Sequence, residues 1–219
     1  MRKDTPCYIS KYEEFARIIL QLRSLGVQNK EIFSALEIYP RQSFIPIKYD
    51  SIYHNGIIPI ECGQYMENFD EQMIAIDKLD IQNNHNVLEI GTGSGFTAAI
   101  ISQLAKQVVT IDRYKTLVEL AKKKFEKFLI KNIFIKQADA LKILPDPLFD
   151  RIIVWGAFPH FPAYLKKNLL NTGKMIFALG NEYNVQKLKL YNNSSAIEDG
   201  ETIMNVRYQF LTSGCARIL

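Results

Sequence analysis

Three carboxylates, each at the end of an apolar run, mark where this chain could do chemistry. The first lies in Val87-Leu88-Glu89-Ile90-Gly91-Thr92-Gly93-Ser94-Gly95-Phe96, where an apolar strand runs into a glycine turn and out into an amphipathic helix. Glycines let the backbone approach a ligand without Cβ interference, and the carboxyl ends of strands are where open α/β sheets bind cofactors. A dinucleotide would fit that much. The spacing, however, is GxGxG and not GxGxxG, and Glu89 stands two residues before the first glycine. A carboxylate there repels a diphosphate and suits a ligand bearing sulfonium and ammonium groups. The expected ligand is therefore S-adenosylmethionine, held by Glu89, Gly91, Thr92, Gly93 and Gly95.

Asp112 follows the next apolar run and could accept both ribose hydroxyls, with Arg113 beside it. Asp139, between Ala138 and Ala140 after a third run, could accept the adenine amino group, and Ala140 joins the cofactor-binding set. Any one of these acids alone would read as a turn or a helix cap. Their placement after three successive strands is what points to a cofactor.

The elements that must hold them follow from periodicity. Apolar positions at helical spacing predict two helices between Lys11 and Glu37, broken at Gly26. Tyr39 to Gly63, punctuated by Pro40, Pro46, Gly56 and Pro59, reads as an ordered loop with short extended pieces of a kind that often holds substrates. Helices and strands then alternate: a helix near Asp70–Leu79, a strand at Asn86–Ile90, a helix at Phe96–Leu104, a strand at Gln107–Ile111, and a lysine-rich helix. Strands at Ile133–Lys136 and Arg151–Trp155, a helix near Tyr164–Leu170 and a strand at Met175–Leu179 continue the series. Two further runs, Val185–Tyr191 and Met204–Leu211, suit an antiparallel pair at one edge. The expected fold is α/β, a Rossmann-like doubly wound and mostly parallel seven-stranded sheet with helices on both faces and an N-terminal helical cap. Residues 1–80 would form the cap and substrate loop, and 81–219 the cofactor-binding core.

The chain has 219 residues, 47% of them hydrophobic, enough for one sizeable core. Its start lacks the layout of a secretory signal, and no segment approaches the ~18 apolar residues of a membrane span. Cys7, Cys62 and Cys215 form no CxxC pair, and His54, His85 and His160 are scattered, so no disulfide framework and no metal site is expected. A reducing cytoplasm fits. The formal net charge of +4 owes something to Lys122, Lys123, Lys124, Lys127, Lys131 and Lys136, which read as a solvated helix face and its surroundings more readily than as a nucleic-acid site. Oligomeric state is not readable.

Several segments resemble the protein-L-isoaspartate O-methyltransferase family. Pro40-Arg41-Gln42-Ser43-Phe44-Ile45-Pro46 is similar to its PRxxFVP segment, Gly63-Gln64 to the start of its GQTIS loop, and Glu89 to Gly95 to its EIGTGSG motif. Phe149 to Val154 resembles FDRIIV, and Ala157-Phe158-Pro159, with Pro162 and Leu165, resembles the loop that follows. The resemblance implies methyl transfer from S-adenosylmethionine to the side-chain carboxylate of isoaspartyl residues in damaged proteins or peptides. The ester then re-forms a succinimide, a route back to normal aspartate.

The loop after Gly63-Gln64 departs from the family. Its residues are Tyr65, Met66, Glu67, Asn68 and Phe69, so the expected serine is Glu67 and the expected proline is Phe69. Gln64, Tyr65, Met66, Asn68 and Trp155 are the other expected substrate-loop residues, and Glu67 takes the catalytic position. An ionised Glu67 about 4 Å from an acceptor carboxylate would cost some ~4 kcal/mol at an effective dielectric near ~20. Either burial keeps Glu67 protonated or it points elsewhere. Trp155, where the family has a smaller residue, either narrows the pocket, stacks on a flat substrate or simply packs. Two alternatives stand beside the leading reading: a methyltransferase with another acceptor, and a relative that binds S-adenosylmethionine without catalysis.

Overall fold

The computed structural model describes residues 11–46, 53, 56–142, 144, 148–195 and 199–218. Cys7 and His54 lie outside the described residues, as do 47–52 of the loop after Tyr39.

Two helices open the chain, α1 (Lys11–Ser24) and α2 (Lys30–Ile38), separated at Gly26, which has φ +91°. Asn29 caps α2 by accepting the Glu31 N–H at 2.9 Å. A 3-10 turn over Arg41–Phe44 leads to a two-stranded hairpin of β1 (Ile58–Pro59) and β2 (Tyr65–Met66), after which α3 spans Phe69–Lys78. The core then reads β3 (Asn86–Ile90), α4 (Phe96–Leu104), β4 (Gln107–Asp112), α5 (Lys115–Lys127), β5 (Ile133–Gln137), β6 (Phe149–Phe158), β7 (Leu169–Leu179), β8 (Gln186–Asn192) and β9 (Glu201–Val206).

The large sheet has the order β5-β4-β3-β6-β7-β8-β9. β3 to β7 run parallel, whereas β8 is antiparallel to both β7 and β9. The chain moves outward from β3 to β5 and then returns to the other side of β3. That reversal opens a crevice at the carboxyl ends of β3 and β6, where ligands of such sheets bind. Alternate residues point to opposite faces, so Val87, Val108, Ile153 and Ile176 pack with α1 to α5, whereas Leu88, Val109, Ile152 and Met175 form a second core with Leu165 and Phe161.

Two expected elements take another form. The segment near Tyr164–Leu170 is a 3-10 helix over Ala163–Asn168, because Leu169 is already paired with Phe149 at the start of β7. The run Met204–Leu211 leaves the ladder after Val206. Beyond it the Gln186 side chain holds Tyr208, donating to its carbonyl at 3.0 Å and accepting its N–H at 2.8 Å. The Ala157 N–H of β6 then donates to the Gln209 carbonyl at 2.9 Å. The last residues thus cross the end of the sheet, above the crevice.

Arg151 joins the helices to the sheet. Buried in β6, it donates to the carbonyls of Leu79 (2.7 Å) and Asp80 (3.2 and 3.1 Å) just beyond α3. Arg151→Met would leave those carbonyls without their donor, and breaking charge-assisted bonds at a buried site costs about 2–4 kcal/mol. The expected result is a melting temperature lower by about 5–15 °C in a domain of this size, read by thermal unfolding. A drop under ~2 °C would remove Arg151 from this role.

Candidate active site

β3 delivers the chain directly into the glycine turn, and the turn is pinned from beneath. The Gly91 and Thr92 N–H groups donate to the Ile111 carbonyl, the Thr92 and Thr110 hydroxyls lie 2.6 Å apart, and the Gly93 N–H donates to the Asp112 carboxylate at 2.9 Å. Gly91 has φ +94°, and a Cβ there would stand 3.2 Å from both the Cβ and the carbonyl oxygen of Trp155. Gly95 has φ +84°, and its Cβ would come within 2.9 Å of the Phe125 ring. Gly95 does not line the cavity. The missing Cβ lets α4 close on α5.

The three carboxylates divide into different roles. Asp112, at the end of β4, lines the cavity and accepts the Gly93 and Tyr114 N–H groups, one on each oxygen. Burial pushes its carboxyl above the usual range. Each oxygen retains a further lone pair for a ribose hydroxyl. Glu89 lies under the cavity floor and not on its wall: its carboxylate accepts from Thr97 (2.6 Å), Thr110 (2.6 Å) and the Trp155 ring N–H (3.0 Å). Desolvation in this fully buried place pushes it up to about 7. It holds the wall residues Thr97 and Trp155 through these bonds.

Asp139 is also spent on protein groups, accepting the Leu141 N–H (3.0 Å), the Ser213 hydroxyl (2.9 Å) and the Gly214 N–H (2.6 Å). Asp139 does not itself line the cavity. Its neighbours Ala138 and Ala140 do line it. The bonds to Ser213 and Gly214 anchor the C-terminal segment across the crevice, and Arg113 reinforces them by donating to the Gly214 (2.9 Å) and Ser213 (3.4 Å) carbonyls.

A cavity of about 520 Å³ extends from the glycine turn to the β1–β2 hairpin. Beside Asp112 its wall is Ile111, Leu117, Ala138, Ala140 and Leu141, an apolar slot for a flat base. Arg113, which lines this end, has its guanidinium tied to the Gly214 and Ser213 carbonyls. Acid, apolar slot and open glycine backbone together fit S-adenosylmethionine.

At the other end stand Gln64, Tyr65, Met66 and Glu67, while Asn68 does not line the cavity. Asn68 caps α3 by accepting the Asp70 N–H. The hairpin turns through Cys62 (φ +60°) and Gly63 (φ +62°), so Glu67 follows β2 at a fixed place. Arg41, fully buried between the Phe69 and Phe96 rings, donates to the Glu67 carbonyl at 2.8 Å. Trp155 lines the wall on the face of β6 that also carries Ile153 and Ala157, beside an irregularity in the β6–β7 pairing.

The sequence model of the protein-L-isoaspartate(D-aspartate) O-methyltransferase family matches residues 13–216. The chain belongs to this family. It is 36% identical over 191 residues to a protein-L-isoaspartate O-methyltransferase of Rhizobium meliloti, covering 86% of this chain and 94% of that one. It is 35% identical to that of Azorhizobium caulinodans, over 94% and 96% of the two chains. The fold matches a Plasmodium falciparum protein-L-isoaspartate O-methyltransferase candidate, crystallised with S-adenosyl-L-homocysteine, with a TM-score of 0.76 at 17% identity over 90% of this chain and 97% of that one.

Within this member of the family, several cavity residues carried no readable signal. Gln72, Thr97, Gln186, Arg207, Tyr208 and Phe210 reach the site from four elements far apart in sequence. Lys124 belongs to the lysine-rich helix, yet it is half-buried and donates to the carbonyls of Phe44 (2.8 Å) and Ser94 (3.1 Å), joining the PRxxF turn to the glycine turn. Lys122, Lys123, Lys127, Lys131 and Lys136 are exposed, as expected of a solvated face. Among the described residues no cluster of metal ligands occurs, Cys62 and Cys215 are free thiols, and no helix is long and apolar enough to cross a membrane.

Proposed function

We propose that this chain transfers the methyl group of S-adenosylmethionine to the side-chain carboxylate of isoaspartyl residues in damaged proteins. The observation that carries this reading is the continuity of one cavity from the glycine turn and Asp112 to Gln64 and Glu67, in a member of a family of that activity. When bound, the cofactor supplies a methyl group activated by a positive sulfur. An acceptor carboxylate is already ionised and nucleophilic near neutral pH, so the chain's task is positioning, with no base required.

Asp112 and the Gly91–Gly93 backbone would hold the ribose side, with Thr92, Arg113 and Ala140 around it. Tyr65, Met66 and the Trp155 ring would enclose the acceptor. The segment beyond Val206 closes the top, with Asp139 and Arg113 as its anchors, and keeps water from the reacting atoms. Residues 1–80 would thus supply most of the acceptor end and 81–219 the cofactor end.

The test is incubation with methyl-labelled S-adenosylmethionine and an isoaspartyl peptide, with the matching aspartyl peptide as control. Base-labile label on the isoaspartyl peptide alone is the expected result. Cofactor binding without labelled peptide would turn the reading toward another acceptor, an outcome that Glu67 in the serine position makes worth measuring.

A further inference from the structure

Glu67 poses a problem for any site that receives a carboxylate. The residue lines the cavity, yet it is only 9% exposed. Around it stand Tyr65 on its own hairpin, Glu71 on α3, Glu89 on β3 and Tyr208 of the C-terminal segment, every one an acid or a hydroxyl. Arg41 is the cation facing it, and that guanidinium is directed at the Glu67 backbone carbonyl (2.8 Å), at Gln72 (3.5 Å) and at two aromatic rings. The hydrogen bond to the carboxyl itself comes from its own backbone N–H. A buried carboxylate so placed would be neither paired nor solvated, the arrangement that favours the neutral acid.

We propose that Glu67 works as a neutral carboxylic acid whose O–H donates a hydrogen bond to the acceptor carboxylate, at the position where the family carries a serine hydroxyl. This rests on the carboxyl-methylation reading above. Charge repulsion with the substrate then disappears and is replaced by a charge-assisted hydrogen bond. One acceptor oxygen takes the methyl as its bond to sulfur breaks, the electron pair remaining on sulfur. The Glu67 proton stays on Glu67 throughout, bonded to the other acceptor oxygen and holding the carboxylate in line.

The sign of the pH effect follows. Burial, Glu71 and Glu89 push Glu67 up to about 8, against Arg41. The neutral donor is present below that pH and is lost as pH rises through it, leaving an anion facing an anion. Glu71 and Glu89 titrate near 7 in the same neighbourhood, so the observed step belongs to the group of acids, and only substitution assigns it.

Two readouts on the full-length protein test this. The first is kcat/KM on an isoaspartyl peptide from pH 7 to 9.5; the second is the affinity of that peptide for the protein loaded with S-adenosylhomocysteine over the same range. In the wild type both fall at least tenfold across the range. E67Q and E67S, neutral donors at every pH, lose several-fold at pH 7 and then hold a nearly flat profile, whereas E67A loses more at pH 7 and is also flat. Wild-type and E67Q profiles of the same shape would overturn the proposal. Peptide binding that follows this pattern without methyl transfer would overturn the activity and leave the donor; no peptide binding at any pH would overturn both.

Discussion

Asp112→Ala weakens S-adenosylmethionine binding at least ~100-fold, measured by calorimetry on the folded protein. The Asp112 carboxylate stands at the centre of the cofactor end, with one oxygen on the Gly93 N–H and the other on the Tyr114 N–H. Hydrogen bonds to a charged group contribute about 1.5–3 kcal/mol each, and about 2.7 kcal/mol separates affinities that differ ~100-fold. Alanine removes the ribose acceptor and, at once, the bond that holds the Gly93 N–H of the glycine turn. Asp112→Asn keeps one carbonyl oxygen but sets an N–H donor against one of the two backbone N–H groups, so a smaller loss of about tenfold is expected. A dissociation constant for the alanine variant within threefold of wild type would mean that the ribose is held elsewhere.

Gly95→Ala costs stability, and its cofactor affinity changes little by comparison. A Cβ at φ +84° meets the strain of the left-handed region, about 1–2 kcal/mol. It also stands 2.9 Å from the Phe125 ring and 3.0 Å from the Ala121 Cβ, where α4 and α5 are already in contact. Forcing a methyl group into such a place costs about 1–3 kcal/mol more. The melting temperature is expected to fall by about 5–15 °C. A loss under ~2 °C would show that α5 yields freely, and an affinity loss as large as that of Asp112→Ala would return Gly95 to the cofactor contacts.

The contrast between these two positions illustrates what the sequence could convey. The strand, glycine turn and helix at Asn86–Leu104 are set by local pattern, and so is the carboxylate that ends β4; all were legible. Asp139 follows its strand in the same manner, but its partners are Ser213 and Gly214, more than seventy residues away. Glu89 stands near the end of its strand in the same manner, but its donors Thr97, Thr110 and Trp155 come together only in the fold. Asn68 sits in a loop that resembles a substrate loop, yet it is the residue just before a helix, and capping claims it. The alternation in Met204–Leu211 is real. The ladder still ends at Val206, because Gln186 and Ala157 offer Tyr208 and Gln209 bonds that a neighbouring strand would otherwise supply. Arg207, Tyr208 and Lys124 reach their places only through tertiary structure, and no spacing announces them.

The central claim is that this chain recognises one kind of carboxylate. The direct measurement is a single reaction containing S-adenosylmethionine and equal amounts of an isoaspartyl peptide and its aspartyl isomer. The two peptides are separated at intervals, and S-adenosylhomocysteine is counted in parallel. The isoaspartyl peptide is expected to decline and the aspartyl peptide to grow, with S-adenosylhomocysteine appearing as the decline proceeds. An aspartyl peptide consumed as fast as the isoaspartyl one, or an isoaspartyl peptide that persists unmethylated beside cofactor-bound protein, would contradict the claim.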